Sequence, residues 1–304
     1  MFSPQKIDRL IFFDYDGPIT TGNPNAVPSM RYALKRTLQS ARDYNRVDYP
    51  PFRESTFQDA LSLSTGTTED TFLISYFLLA QGLLPKNPRE FSNDFEISRR
   101  QYLQKKNKEL GIPSSDEGYI NPDFLTMIKS LKQQDRELKL RTLYGIVTGN
   151  PLLTMDVRLP EYIREMMDIV VGGSFGVHRQ HLVSNAIIEI GNQLEFENIH
   201  EAMIFYTDDS SKALLDVGNP ELARQDPTGM TSNEFAHLRL IHANRNHIIV
   251  PAILELQRRG LACIAPRLDG PSLLSFFDPH NHTIEGQPWH QEGIPHYRNG
   301  KEKR

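Results

Sequence analysis

The sequence has a single cysteine, Cys263, among its 304 residues. One cysteine excludes an internal disulfide framework and a cysteine-rich zinc module. Neither sign of charge dominates, since 34 lysine and arginine residues stand against 38 aspartate and glutamate residues, for a net charge of −4. A nucleic-acid-binding protein usually carries a basic stripe, which is missing here, so we expect no nucleic-acid partner.

Long hydrophobic runs are also missing. The longest, Phe72 to Leu84, contains Ser75 and Gln81 and is too short to span a bilayer core of about 30 Å. The first residues show no apolar segment of the kind found in signal peptides. We therefore expect no transmembrane segment and a cytoplasmic protein, while the sequence leaves the oligomeric state open.

Five short apolar runs predict buried strands: Leu10–Phe13, Leu143–Val147, Ile169–Val171, Ala202–Tyr206 and Leu261–Ala265. Apolar and polar residues do not alternate in these runs, which is typical of a parallel sheet covered on both faces. Helical patterns lie between several of them, at about 162–167, 181–190 and 247–259. This alternation predicts an α/β fold with a doubly wound parallel sheet.

The interval between the first two runs is too long for one crossover and predicts an inserted helical cap. We place the core at 1–21 and 118–277 and the cap at 22–117, with a further helix at about 123–131. Three helical patterns lie within the cap, at about 27–44, 68–84 and 90–110.

Two charged segments have no assigned chemistry. A basic cluster in the third cap helix is expected to form a solvated face, and comprises Arg99, Arg100, Lys105, Lys106 and Lys108. Residues 278–304 are polar, hold four of the ten histidines and are expected to form a flexible tail. No histidine spacing in this tail matches a zinc site.

Two carboxylates follow the first predicted strand. Asp14 and Asp16 are separated by one residue, and Gly17 behind them allows a sharp backbone turn. In such a pair one carboxylate can attack as a nucleophile while the other transfers a proton. An aspartate-rich turn at a strand end is the alternative interpretation.

Two further polar strand ends follow. Thr148, Gly149 and Asn150 end the second run, where a hydroxyl and backbone N–H groups can bind a phosphoryl oxygen. Asp208 and Asp209 end the fourth run, and adjacent carboxylates repel each other unless a cation such as Mg²⁺ lies between them. Either aspartate could instead cap a helix that begins near residue 211.

Taken in this order, the three motifs resemble those of the haloacid dehalogenase-like superfamily of phosphohydrolases. Asp14, Asp16, Gly17 and Thr20 fit its first motif, and the inserted segment resembles the helical cap of one large branch. The resemblance covers residues 7–265 and implies a Rossmann-like core that carries out phosphoryl transfer.

The resemblance also implies a role for each residue. Asp14 would be the nucleophile that forms an aspartyl-phosphate, and Asp16 would protonate the leaving oxygen and later activate water. Thr148, followed by its glycine and asparagine, would bind the phosphoryl group. Asp14 and Asp208 would hold Mg²⁺ through their side chains, with the carbonyl of Asp16 and Asp209 as additional candidate ligands.

The sequence departs from the family at its usual third-motif lysine, because residues 151–205 contain no lysine. Arg179 lies where that lysine is expected and keeps the positive charge. Lys212 replaces the acid expected four residues after Asp208 and is the alternative phosphate-binding cation. Arg179 could instead be a solvated residue at the start of a helix, and Lys212 could simply be exposed, which is usual for lysine.

The implied activity is magnesium-dependent hydrolysis of a phosphomonoester, with a small phosphorylated metabolite as the expected substrate. Phosphotyrosine or another phosphoprotein, a phosphomutase reaction and a catalytically weak binding protein remain open alternatives. Carbon–halogen hydrolysis is disfavoured, because it would need the nucleophile but neither a second acid nor a metal cluster.

Overall fold

The computed structural model describes residues 6–45, 52–63, 88–173, 178–194, 201–221, 230–243, 251–258, 261–265, 274, 276–278, 283–284 and 287–288. The predicted helix at 68–84 and most of the predicted tail lie outside the described residues. Within those ranges, no helix is both long enough and apolar enough to cross a membrane.

Six parallel strands form the central sheet, in the order β3-β2-β1-β4-β5-β6. They are β1 (Arg9–Phe13), β2 (Thr142–Thr148), β3 (Ile169–Gly172), β4 (Met203–Asp208), β5 (Leu238–Ala243) and β6 (Ala262–Ala265). All five residues of β1 are buried, as expected for a strand covered on both faces. The short strands β7 (Thr283–Ile284) and β8 (Gln287–Pro288) pair separately.

The described helices are α1 (Ala26–Asn45), α2 (Glu54–Leu63), α3 (Pro88–Leu110), α4 (Pro122–Leu138), α5 (Leu152–Arg158), α6 (Glu161–Arg164), α7 (Arg179–Leu194), α8 (Ser211–Val217), α9 (Ser232–Ala236) and α10 (Pro251–Arg258). Leu10 and Phe12 of β1 face a core shared with α7–α10, whereas Ile11 and Phe13 face one shared with α4–α6. Helices therefore cover both faces, and the predicted doubly wound fold is confirmed.

Strand β5 was not predicted from the sequence. Arg239 and His242 interrupt its apolar run, which hides the pattern of a buried strand. Both side chains are nonetheless buried, because β5 lies between β4 and β6 in the interior of the sheet. The sheet thus has one more strand than the five apolar runs indicate.

Helices α1, α2 and α3 share a small core of their own, separate from the two cores of the sheet: Met30, Ala33, Leu34, Leu38, Phe57, Ala60, Phe91 and Phe95. Two antiparallel connections join them to the sheet. The amide of Thr21 donates to the carbonyl of Tyr119 at 2.7 Å, and that of Asn121 to Ile19 at 2.8 Å. The predicted cap boundaries, 22 and 117, lie beside this paired connection.

The prediction that the basic cluster forms a solvated face is wrong for Arg99. This side chain is fully buried, and its Nε donates to the hydroxyl of Ser29 on α1 at 3.2 Å. Phe95, one turn earlier on α3, is also buried, so helical spacing places Arg99 on the face that packs against α1. Lys105 and Lys108 are exposed, as predicted.

A buried arginine ties the C-terminal part of the sheet domain to the start of β1. Arg9 is fully buried, and its Nη2 lies 2.8 Å from Oδ1 of Asp135 on α4. Its Nε donates to Thr142 at 2.6 Å, and its Nη1 donates to the carbonyl of Phe277. Since Phe277 is itself in the core, the guanidinium joins three separate parts of the chain.

We expect Arg9→Ala to lower the free energy of unfolding by about 3 kcal/mol, because Asp135 would keep its charge without its partner in a largely buried place. Urea denaturation followed by circular dichroism measures this. Arg136→Ala, an exposed position next to Asp135 on α4, is the control and should change stability by less than about 0.5 kcal/mol. Equal losses in the two variants would contradict the prediction.

Candidate functional site

Three polar strand ends meet at the carboxyl edge of the sheet. Asp14 follows β1, Thr148 ends β2 and Asp208 ends β4. Strand β1 pairs in register with both neighbours, so the three strands end at the same level. The amide of Asp14 donates to the carbonyl of Thr207 at 2.8 Å, which continues the ladder to the site itself. The topology thus brings these side chains together as the sequence predicts.

Gly17 lets the loop after β1 approach the loop after β4. Its φ of +91° lies in the left-handed region that favours glycine. A Cβ added there would lie 2.2 Å from Cγ of Asp209, so a larger residue would have to displace that carboxylate. The glycine of the first motif therefore serves both the turn and the position of Asp209.

The side chains of Asp14, Asp208 and Asp209 form a carboxylate cluster. One oxygen from each lies within 4.8 Å of the other two. Asp14 and Asp208 are buried, whereas Asp209 is exposed. The hydroxyl of Tyr206 donates to Oδ2 of Asp208 at 2.5 Å, and the amide of Ser210 donates to Oδ1 at 2.8 Å.

Burial makes this cluster costly to ionise. It raises the pKa of Asp14 to about 8, with Asp208 and Asp16 adding to the rise while Arg179 opposes it. Burial likewise raises the pKa of Asp208 to about 6, against the opposing charge of Arg179. A cation among these oxygens would offset the repulsion.

Mg²⁺ fits this donor set. The ion prefers hard oxygen ligands, and Asp14, Asp208 and Asp209 each offer a carboxylate oxygen at mutual distances that one ion can bridge. Neither Asp208 nor Asp209 is the helix cap that the alternative interpretation proposed. Ser210 caps α8, since its hydroxyl accepts from the amide of Ala213 at 3.2 Å.

Arg179 begins α7 and reaches into the carboxylate cluster. Its Nη1 lies 3.2 Å from Oδ1 of Asp14, and its Nη2 lies 3.9 Å from Oδ2 of Asp208. The side chain is buried, and its backbone amide donates to Asp216 at 2.5 Å. The side chain of Lys212 is exposed on α8. Of the two candidate cations, the buried Arg179 contacts the proposed nucleophile, Asp14.

Thr148 and Asn150 are linked to each other and to Asp16. The hydroxyl of Thr148 accepts from the side-chain amide of Asn150 at 3.0 Å. The same amide nitrogen donates to Oδ2 of Asp16 at 2.8 Å. Gly149, between these two residues, lies close to Gly173. A Cβ added to Gly173 would lie 2.7 Å from the carbonyl oxygen of Gly149. Tight packing of the two loops thus holds the predicted phosphate-binding turn.

The carboxylate of Asp16 forms a bidentate contact with Arg158, at the end of α5. Nη2 of Arg158 donates to Oδ1 at 2.5 Å, and Nη1 donates to Oδ2 at 3.0 Å. Thr20 donates to Oδ1 at 3.2 Å. Burial by itself would raise the pKa of Asp16, but the charge and hydrogen bonds of Arg158, with that of Asn150, hold it below its usual range.

Two residues beside the site were missed by the sequence analysis, namely Arg158 and His242. Arg158 stands in a helix whose other residues gave no motif, and only its place between the apolar residues Val157 and Leu159 signals burial. His242 lies in the missed strand β5, opposite Asp208, and its Nε2 lies 3.1 Å from the carbonyl oxygen of Asp209.

No protein-family profile matches the sequence, and no curated protein matches it. Several solved structures do match this chain. CbbY from Rhodobacter sphaeroides in complex with phosphate is 14% identical over 86% of this chain and 96% of that chain, with a TM-score of 0.46. The HAD-hydrolase YfnB from Bacillus subtilis, bound to magnesium, is 13% identical over 87% and 96%, with a TM-score of 0.42.

A phosphonoacetaldehyde hydrolase-like protein from Oleispira antarctica is 9% identical over 91% of this chain and 94% of that chain, with a TM-score of 0.45. At these identities the likeness concerns the fold alone. The doubly wound sheet expected from the resemblance is the one that the structure has.

We expect Gly17→Ala to weaken Mg²⁺ binding and to destabilise the protein, because its methyl group would displace the carboxylate of Asp209. Isothermal titration calorimetry with Mg²⁺ and urea denaturation measure the two effects. Gly22→Ala is a matched control, since Gly22 also has a positive φ, +100°, but its Cβ would meet nothing within 4 Å.

The control should lose about 1 kcal/mol of stability from backbone strain alone and keep its Mg²⁺ affinity. Unchanged Mg²⁺ affinity in Gly17→Ala would show that Asp209 is not a ligand or that its position does not matter.

Proposed function

We propose that this chain is a magnesium-dependent phosphatase that hydrolyses a phosphomonoester through an aspartyl-phosphate on Asp14. The observation that supports this most directly is the buried carboxylate of Asp14, 3.2 Å from Arg179 and within a cluster of three acids that fits a divalent cation. An anionic nucleophile can attack an anionic ester only where positive charge offsets their repulsion.

The proposed site supplies that positive charge from two sources. Asp14, Asp208 and Asp209 would hold Mg²⁺ through their carboxylates, with the carbonyl of Asp16 as a further oxygen donor. When bound, the ion would offset negative charge on the phosphoryl oxygens. Arg179 adds a fixed guanidinium, whose planar fork suits a phosphoryl group better than a point charge does.

In the first step, an ionised oxygen of Asp14 attacks phosphorus while the bond to the leaving oxygen breaks and its electron pair stays on that oxygen. The negative charge of the bound ester opposes the lowering of the Asp16 pKa by Arg158, so Asp16 would be protonated in the complex. It donates that proton to the leaving oxygen, and the alcohol leaves neutral. The hydroxyl of Thr148 and the backbone amides of Gly149 and Asn150 bind the phosphoryl oxygens.

In the second step, Asp16 takes a proton from a water molecule, and the water oxygen attacks the phosphorus of the aspartyl-phosphate. The bond between phosphorus and the Asp14 oxygen breaks, which releases inorganic phosphate and restores the carboxylate. Asp16 ends the cycle protonated, ready for the next ester.

We propose a small phosphorylated metabolite as the substrate. Helices α1, α2 and α3 are joined to the sheet by connections that begin and end beside Asp16, because Thr20 forms a bridge with both Asp16 and Ile120. A domain attached so close to the site can cover a small ester and exclude water. Assay of phosphorylated metabolites beside phosphopeptides, each with Mg²⁺, tests this choice against a phosphoprotein substrate.

We expect Asp14→Asn to abolish hydrolysis of p-nitrophenyl phosphate in the presence of Mg²⁺, because the amide keeps the shape of the side chain but is not a nucleophile. Phosphate release measures turnover, and the melting temperature shows that the variant is folded.

Wild-type activity should also vanish in excess chelator and return with added Mg²⁺. Turnover by Asp14→Asn at the wild-type rate would refute the mechanism, and no turnover by wild type on any phosphate ester would refute the function.

Arg179→Ala should lower kcat by about 10²-fold, equivalent to about 3 kcal/mol, by analogy with the loss of one oxyanion donor. Steady-state kinetics with p-nitrophenyl phosphate measures the loss. Lys212→Ala, an exposed cation of the same region, is the matched control and should stay close to wild type. The reverse pattern would make Lys212 the phosphate-binding cation.

A further inference from the structure

We propose that Arg158 is a positioning residue for Asp16, and that Asp116 in turn holds Arg158 in place. The inference rests on the proposed function, since it assigns the residues that orient the proposed acid. Neither residue belongs to a motif, and neither contacts the carboxylate cluster in the part of the chain that the structure describes.

Arg158 uses its whole guanidinium in this arrangement. Its two terminal nitrogens grip the carboxylate of Asp16, and its Nε donates to Oδ2 of Asp116 at 2.9 Å on the opposite side. Nη1 also lies 3.0 Å from the side-chain oxygen of Asn150, and the ring of Tyr15 lies 5.0 Å from Cζ. Because the fork is planar, fixing one edge on Asp116 fixes the direction of the other edge.

Asp116 is anchored by both connections between the helical domain and the sheet. It is fully buried and lies in the connection that returns from α3 to α4. Asn23, in the connection that leads from β1 to α1, donates its side-chain amide to Oδ1 of Asp116 and, at 2.9 Å, to the carbonyl of Ser115. The position of Arg158 is therefore set in part from outside the strand-end loops that carry the other site residues.

Backbone hydrogen bonds reinforce this anchor. The amide of Ser115 donates to the carbonyl of Val157 at 2.9 Å, and the amide of Asp116 donates to that of Arg158 at 3.3 Å. Asn107, near the end of α3, donates its side-chain amide to the carbonyl of Val157 at 3.1 Å. The end of α5 is thus docked directly against the returning connection, and a shift of one moves the other.

The orientation of Asp16 determines whether its carboxylate can reach the leaving oxygen, because only part of the side chain is exposed. About 37% of its side chain is open to solvent, whereas Arg158 and Asp116 are at most 1% exposed. Arg158, Thr20 and Asn150 bind the two carboxylate oxygens on one side, and the exposed side is where a leaving oxygen could approach. Proton transfer needs heavy atoms within about 2.6–3.2 Å, so the direction of the carboxylate decides whether Asp16 reaches that oxygen.

The test compares an alkyl phosphate, such as glycerol phosphate, with p-nitrophenyl phosphate, whose leaving oxygen departs with little protonation. We expect Arg158→Gln to lower kcat for the alkyl ester by about 10²-fold, the lower end of what an acid contributes, and to affect the aryl ester much less. Asp116→Asn should show the same selective loss, smaller in size, and Arg158→Lys should recover part of the alkyl activity.

The deciding measurement repeats Arg158→Gln in an Asp16→Asn background. If Arg158 acts through Asp16, the second substitution should leave the ratio of alkyl to aryl rates unchanged from that of Asp16→Asn. Equal loss on both esters, or a further fall of the ratio in that background, would overturn the inference. Arg164→Gln, which removes an exposed pair with Asp156 on the neighbouring helix, is the control and should leave the ratio unchanged.

Arg158→Gln leaves Asp116 buried without its cation, so folding is checked first. The double variant Arg158→Gln/Asp116→Asn removes both charges and is the fallback if the single variant does not fold. Urea unfolding of Arg158→Lys, Asp16→Asn and the combined variant provides a readout that needs no turnover. If the two residues are in contact, the urea midpoint of the combined variant should shift by less than the sum of the two single shifts. Fully additive shifts would overturn the contact, whether or not the wild type hydrolyses phosphate esters.

Discussion

Mutual repulsion of carboxylates at the end of β1 is the constraint on which the site depends. Asp14, Asp208 and Asp209 come together because three parallel strands end at one level, and Asp16 follows only two residues after Asp14. Two of the three clustered acids are buried, where unpaired charge is costly. Unless the surroundings supply positive charge, these acids keep raised pKa values and stay partly protonated.

Two buried arginines divide that task, and they come from opposite sides of β1. Arg179 starts α7 and lies beside Asp14 and Asp208, whereas Arg158 ends α5 and binds Asp16. The two guanidiniums therefore act on different carboxylates and in different ways. Arg179 lies beside two acids of the cluster, whereas Arg158 binds the carboxylate of Asp16 with a bidentate contact.

Because Arg158 also binds Asp116, it links the helical domain to the site. Its two connections meet at Asp116 and Asn23, and through Arg158 they reach Asp16. At the opposite end of the sheet, Arg9 binds Phe277 at the beginning of β1, far from the carboxyl ends of the strands. Buried arginines thus serve the site at one end of the sheet and hold the domain together at the other.

The sequence by itself determined the sheet class, five of the six strands, the strand ends that carry Asp14, Thr148 and Asp208, and Arg179 as a candidate cation. Local signals suffice there, because apolar runs mark buried strands and parallel strands end at a common edge. Only the tertiary structure decided that β5 exists despite Arg239 and His242, that Arg99 is buried, and that Arg158 binds Asp16. Each of these depends on a charged or polar side chain that the fold buries. His242, Arg99 and Arg158 are buried against partners distant in the chain, and no periodicity along the sequence records which partners those are.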